Sequence, residues 1–282
     1  MKKNIIWLAS YPKSGNTWMR SLLANILYLK NSDDDFNFDI LKKISEFDTL
    51  ANYMFLNKES IKDGGLKRLE NISKHWIKAQ INFNLKDKKK LFKTHASNIS
   101  YLGNAYTNSE TTKGLIYIIR DPRDVVISYS KHLNKSIDQV IEIIKKDNTI
   151  TYSHKNSFPV LMSRWDYHIM SWFNLKAPKI FIQYEHMLEN IEMIIKILIK
   201  FLNDHLDYNL TITDKSINKI IENTSFKKLR EKERIEGFPE ASKNSIFFRS
   251  GIKNQWQNIL SSNQEKIISE AFHQTMKKFN YK

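Results

Sequence analysis

Four short apolar runs, three of them followed by a helical pattern, set the rhythm of this chain. Ile5-Ile6-Trp7-Leu8 reads as a buried strand, and Trp18, Met19, Leu22, Leu23, Ile26 and Leu27 then recur at helical spacing. Lys90-Leu91-Phe92-Lys93 reads as a second strand, and Gly114-Leu115-Ile116-Tyr117-Ile118-Ile119 as a third, the last a continuous β-branched run. After it, Asp121 predicts an N-cap with Pro122 at the first helical position and Asp124 three residues past the cap. Val125, Val126, Tyr129 and Leu133 form the apolar stripe of that helix, and Ser136 to Lys146 predicts another. Pro159 is expected to open a helix carrying Leu161, Trp165, His168, Ile169 and Trp172. Lys179 to Tyr184 is the fourth strand. Helices are expected over Glu185–Leu202 and Asp214–Glu222, and a capping box at Ser262 and Glu265 starts a final one to about Phe279.

Between these segments, residues 40–55 and 65–83 give irregular helical patterns, and 96–113 reads as loop. Asp33 to Asp35 marks a polar loop, Asp147 to Ser157 a polar mobile one, and the charged stretch Arg230 to Asn244 a flexible one. No repeat or linker rich in Pro, Gly or Ser divides the chain, so residues 1–282 are expected to form a single domain. Strands alternating with helices predict a three-layer α/β fold, a mostly parallel sheet covered by helices on both faces. Such sheets bind ligands beyond the carboxyl ends of their strands, which singles out the loops beginning near Tyr11, Lys93, Arg120 and Tyr184.

Composition changes this picture little. At 282 residues, 41% hydrophobic and 27% charged, the chain is ordinary for a globular protein. It has no cysteine, which excludes disulfides and thiolate metal sites and fits a reducing, cytoplasmic setting. Met1-Lys2-Lys3 precedes an apolar run too short for a signal peptide, and no run reaches the ~18 apolar residues of a membrane span. The formal charge of +15 attracts anions of any kind. It comes from 37 Lys and 8 Arg scattered along the chain, so it does not choose between nucleic acid and a small anionic ligand.

The loop after the first strand carries the most specific chemistry. In Tyr11-Pro12-Lys13-Ser14-Gly15-Asn16-Thr17-Trp18, backbone N–H groups at a helix start can face an anion. Lys13 adds a full charge, Ser14 and Thr17 add hydroxyls, and Gly15 permits close approach. Lys13 precedes the glycine, so this is not a Walker A loop. The stretch resembles the 5′-phosphosulfate loop of the cytosolic-type sulfotransferases, which use 3′-phosphoadenosine 5′-phosphosulfate (PAPS). That family usually has Thr at the place of Asn16, which here is expected to serve as an N-cap.

Further segments extend the resemblance. Lys93-Thr94-His95 matches the family's Lys-x-His, whose histidine is the general base. Arg120 and Ser128 match the spacing of the family's 3′-phosphate ligands. Phe247-Phe248-Arg249-Ser250-Gly251 before Trp256 resembles its C-terminal segment, with Ser250 in place of a lysine, so that one cationic 3′-phosphate contact is missing or Lys253 substitutes for it. Trp18, Tyr184, Thr224 and Phe226 fall where the family holds adenine. The resemblance implies in-line sulfuryl transfer from PAPS to a hydroxyl or amine of a small-molecule or sugar acceptor. It leaves 3′,5′-diphosphoadenosine (PAP) and implies no metal. It gives His95, Lys13 and Lys93 catalytic roles, and Lys13 to Trp18, Arg120, Ser128, Arg249, Ser250 and Gly251 cofactor contacts. Residues 31–85 and 145–175 are expected to shape the acceptor site; acceptor and oligomeric state stay open. Two rival readings are a magnesium-dependent small-molecule or nucleotide kinase, which wants a lysine after the glycine, and a basic nucleic-acid binder. The motif order favours neither rival, and no nucleic-acid partner is expected.

Overall fold

The structure, a computed structural model, describes residues 2–28, 36–56, 65–86, 88–151, 157–238, 240, 247–248 and 251–282. In chain order the elements are β1 (Ile5–Ser10), α1 (Asn16–Tyr28), α2 (Gly65–Ser73), α3 (Trp76–Asn84), β2 (Lys90–Thr94), β3 (Ser100–Tyr101) and β4 (Asn104–Ala105). There follow β5 (Thr112–Ile119), α4 (Pro122–Leu133), α5 (Ile137–Lys145), β6 (Ile150–Thr151), β7 (Val160–Leu161), α6 (Trp165–Phe173) and β8 (Lys179–Gln183). The chain closes with α7 (Tyr184–Glu189), α8 (Ile191–Leu206), α9 (Asp214–Thr224), α10 (Phe226–Glu236), α11 (Trp256–Ile259) and α12 (Ser262–Lys278). Two short 3₁₀ turns, Phe38–Lys43 and Leu50–Asn52, lie between α1 and α2.

The four long strands form one parallel sheet in the order β2-β1-β5-β8. Alternation sends Ile5, Trp7 and Ala9 to one core with α3, α4, α5, α6 and α12. Ile6 and Leu8 go to a second core with α1, α8, α9 and α10. This is the expected three-layer α/β arrangement. Register aligns Ala9 of β1 with Thr94 of β2 and Tyr117 of β5, so the strands deliver their following loops to one edge. Among the described residues, no helix is long and apolar enough to cross a membrane.

Several local expectations are corrected. Pro159 does not open a helix: Val160–Leu161 pairs antiparallel with Ile150–Thr151, Ser163 takes a left-handed φ of 59°, and α6 starts at Trp165. Leu161 is buried in the same core as Trp165 and Trp172, so burial alone gave it a place in the helical pattern. The Glu185–Leu202 helix is two helices, broken at Asn190, whose side chain accepts from Met193 N to cap the second. Arg230 to Glu236 belongs to α10 rather than to a flexible loop; Ser225 caps it and only Leu229 is buried, so no apolar stripe announced it. The last capping box lies one residue earlier, at Ser261 and Gln264. A two-stranded ribbon, β3–β4, interrupts the expected loop over 96–113. Asp33 to Asp35 lie outside the described residues, as do 152–156 of the segment expected to be mobile.

Candidate active site

The loop between β1 and α1 is shaped by two left-handed residues, Lys13 (φ 67°) and Gly15 (φ 99°). A Cβ on Gly15 would lie 2.5 Å from Tyr184 Cδ2, so this position needs glycine both for its backbone and for the ring against it. Gly15 O accepts from Met19 N at 3.1 Å, and Gly15 therefore takes the cap position of α1. Asn16, expected as the cap, is instead the first helical residue. Its Nδ2 reaches back to Leu8 O (3.4 Å) and Ser10 Oγ (3.2 Å), tying the helix start to β1. In this first turn the N–H groups of Asn16, Thr17 and Trp18 have no intrahelical acceptor. Ser14 Oγ is buried with no hydrogen-bond partner among the described residues. Lys13 Nζ sits 4.8 Å from the centroid of the Phe247 ring.

His95 follows β2 directly, across the β1 end. Its Nδ1–H donates to Ser10 O at 2.8 Å, which fixes the tautomer and leaves the lone pair on Nε2. Burial, and then the neighbouring Lys93 ammonium, drive the imidazole down to about 3, against the opposing pull of the Ser10 carbonyl. His95 is therefore neutral at pH 7. Lys93 itself is buried and points to the α1 side of the sheet. There Glu240 bridges it and Arg20: Lys93 Nζ–Oε2 is 3.3 Å and Arg20 Nη1–Oε1 is 2.5 Å. These two cations hold the Glu240 carboxyl at about 2 despite its burial.

Arg120 closes the third side. Its Nη1 donates to Lys13 O (3.1 Å) and its Nη2 to Ile252 O (3.2 Å), while the guanidinium lies 4.4 Å over the Tyr184 ring. Arg120 Nε is buried without a partner among the described residues. Asp124 does not complete a capping box; it accepts from Asn254 N (2.8 Å) and Trp256 N (3.1 Å), so it anchors the segment after Gly251. Two ion pairs sit at the helix start: Arg123 with Asp121 at 2.7 Å, and Arg120 Nη2 with Asp124 Oδ2 at 3.7 Å. Ser128 is partly exposed two turns into α4.

The aromatic group assembles beside the loop. Trp18 packs 4.9 Å from Phe226 and 5.8 Å from Tyr184 between ring centroids. Trp18 Nε1 donates to Thr224 O at 2.9 Å, and the Thr224 hydroxyl donates to Ile220 O at 2.7 Å. Thr224 thus offers a ligand acceptor capacity only. A Cβ on Gly251 would meet the Phe226 ring at 2.7 Å. Lys253, one of the two alternatives for the family lysine at 250, is ion-paired with Glu189. Arg249 and Ser250 lie outside the described residues.

The structure therefore draws Lys13 to Trp18, Lys93, His95, Arg120, Tyr184, Thr224, Phe226 and Gly251 to one edge of the sheet. Sequence reasoning missed Ser10, Arg20, Asp124 and Glu240. Arg20 left a signal, a charge within the apolar stripe Trp18, Met19, Leu22, Leu23, where burial demands a partner. Glu240 left none, being 147 positions from the lysine it meets.

With this geometry established, known proteins are informative. The sulfotransferase domain model matches residues 3–280. The chain is 24% identical over 285 residues to sulfotransferase 1B1 of Canis lupus familiaris, covering 96% of this chain and 83% of that one. It is 22% identical to the amine sulfotransferase of Oryctolagus cuniculus over 294 residues, 98% and 82% of the two chains. Mouse sulfotransferase SULT7A1, solved with PAP, shares the fold with a TM-score of 0.61 and 20% identity, over 98% and 84% of the two chains. Retinol dehydratase, solved with androsterone and PAP, does so with a TM-score of 0.59 and 17% identity, over 98% and 82%. The architecture is that of these sulfotransferase-fold structures, and the chain belongs to the sulfotransferase family.

Proposed function

We propose that this protein transfers a sulfuryl group from PAPS to a hydroxyl or amine of a small-molecule or carbohydrate acceptor. The observation that carries the reading is His95: a neutral imidazole at the end of β2 whose Nδ1 proton is committed to Ser10 O, beside an anion-binding loop. Two buried donors without partners among the described residues, Ser14 Oγ and Arg120 Nε, suit phosphate oxygens, and Gly15 lets the backbone approach them. The chain's relatives include proteins solved with PAP, which supports the same nucleotide here.

PAPS supplies a sulfuryl group on a mixed anhydride. The acceptor oxygen or nitrogen forms a new bond to sulfur as the old S–O bond breaks, and that bond's electron pair goes to the 5′-phosphate of PAP. His95 Nε2 takes the acceptor's proton. Lys13 and the first-turn N–H groups of α1 neutralise charge on the departing oxygen. Lys93 serves the sulfuryl oxygens, which requires those oxygens to compete with Glu240 for it. Arg120, with Ser128 and Arg249, holds the 3′-phosphate; Trp18, Phe226, Tyr184 and Thr224 surround the adenine.

The test compares thermal shifts with PAP, with ATP plus magnesium, and with a single-stranded oligonucleotide, followed by an acceptor screen with sulfur-labelled PAPS. A selective shift with PAP and label transferred to a phenol, alcohol, amine or sugar are expected. A larger shift with ATP and magnesium, or with the oligonucleotide, would replace this reading with a kinase or a nucleic-acid binder.

A further inference from the structure

The backbone around His95 is held by three sets of hydrogen bonds, and one of them ends on a buried carboxyl. Trp172 Nε1 donates to Ala96 O at 2.9 Å. His168 Nε2 donates to His95 O at 3.1 Å, and His168 Nδ1 accepts from the Tyr117 hydroxyl at 2.8 Å. The third set is a chain. Ala96 N–H donates to Thr94 Oγ1 (3.0 Å), Thr94 Oγ1 lies 2.9 Å from the Tyr106 hydroxyl, and that hydroxyl lies 2.7 Å from Asp48 Oδ2. Thr94, Ala96, Tyr106 and Asp48 are each at most 1% exposed. Thr94 and Ala96 are the two residues flanking His95.

Such a chain has a direction. Each hydroxyl owns one proton. With Asp48 ionised, the consistent order runs from Ala96 N–H to Thr94, from Thr94 O–H to Tyr106, and from Tyr106 O–H to the carboxylate. With Asp48 protonated, its own O–H can donate to Tyr106, Tyr106 then donates to Thr94, and the Thr94 proton must leave the chain. A proton on Asp48 Oδ2 thus reverses two hydrogen bonds and changes what Thr94 Oγ1 offers the Ala96 amide, whereas a proton on Oδ1 would face the Tyr53 hydroxyl. The fold makes that proton easy to gain. Burial, and to a lesser degree the nearby Glu46, raise Asp48 to about 7, against the hydroxyls of Tyr106 and Tyr53. Tyr53 donates to Oδ1 at 3.3 Å, and the Glu46 carboxylate accepts from Ser157 Oγ at 2.7 Å. Among the described residues Asp48 makes no ion pair.

The geometry points to Asp48 as a positioning residue whose proton sets the direction of the Tyr106–Thr94 chain and, through it, the seating of the strand end that carries His95. Its consequence for catalysis rests on His95 being the base; the coupling itself does not.

Amide NMR of ¹⁵N-labelled protein across pH 5.5 to 8.5 separates the two. The Ala96 amide is expected to shift with an inflection near pH 7 in the wild type. That inflection is expected to vanish in Asp48→Asn. It should vanish also in Tyr106→Phe, which keeps the ring and serves if Asp48→Asn folds poorly. An Ala96 amide that is flat near pH 7 in the wild type, or one that still titrates there in Tyr106→Phe, would overturn the proposal. In a transfer assay from PAPS, Tyr106→Phe should lose the rate's pH dependence near 7 while its KM for PAPS stays within about twofold. Failure of the wild type to transfer sulfuryl would count against the proposed function and leave the NMR result to judge Asp48.

Discussion

His95 and Lys13 make different demands on their surroundings, and substitution separates them. His95 keeps its lone pair because Ser10 O holds the other nitrogen's proton. His95→Ala should reduce transfer by about 10² or more, the usual scale for a lost general base. PAP affinity by calorimetry should stay close to wild type; a variant that still turned over at the wild-type rate would take His95 out of the mechanism. Lys13→Ala should weaken PAP by about tenfold or more, the scale of a charge-assisted hydrogen bond, and slow transfer as well. Glu240 is the third residue to test. It separates two buried cations, Arg20 and Lys93, and Glu240→Gln leaves them facing each other. A loss of about 3 kcal/mol in urea unfolding is expected, the cost of breaking a buried ion network from one side. Sulfate should restore more stability to this variant than to the wild type, because an anion can take the carboxylate's place. Equal sulfate effects on the two proteins would remove the anion-competition account.

At the scale of elements, the β1–α1 junction depends on a ring from another part of the chain. Tyr184, the first residue of α7, fills the space that a Gly15 side chain would need. Gly15→Ala must therefore adopt an unfavourable φ of 99° and displace Tyr184, whose ring also supports Arg120. The expected cost is about 1–3 kcal/mol in stability, together with loss of PAP binding. A melting temperature and a PAP isotherm both unchanged would mean that the loop tolerates a side chain. The glycine's place in the motif was legible from Tyr11 to Trp18 alone. Its reason was not, because Tyr184 is 169 positions away and meets it only once β8 lies beside β5. Asn16 shows the same limit: a good capping residue by type, it is used instead to tie α1 back to Ser10.

Across the whole molecule, buried titratable groups oppose one another in acid. His168 is fully buried and lowered from 6.5 to about 4 by burial. The unfolded chain therefore gains a proton there below 6.5 that the folded one refuses, and stability falls as pH drops from 6.5 towards 4. The gap is worth about 3 kcal/mol when complete. Asp48 acts with the other sign. Raised from 3.8 to about 7, it holds a proton in the fold that the unfolded chain has released, so its contribution grows as pH falls through the same window. Asp48→Asn should consequently lose stability more steeply than the wild type between pH 6.5 and 4 in urea titrations. Parallel curves would show that Asp48 is ionised throughout. The net charge of +15 also has a local expression: a cavity of about 630 Å³ at the opposite, amino edge of the sheet is lined by Lys2, Lys3, Lys89, Lys113 and Lys176 with Asp207.

By itself the sequence determined the four-stranded sheet, most of its flanking helices and the loops at its carboxyl edge. Those follow from apolar periodicity and from glycine, proline and lysine at fixed short spacings, all of which are local. Tertiary structure decided which partners those residues meet: Glu240 for Lys93, Glu189 for Lys253, Tyr184 for Gly15 and Asp48 for the chain beside His95. The Lys93, Gly15 and Asp48 pairings depend on burial, which removes water as the alternative partner, and burial exists only after distant elements have packed; the exposed Lys253–Glu189 pair needs only that the two segments lie side by side.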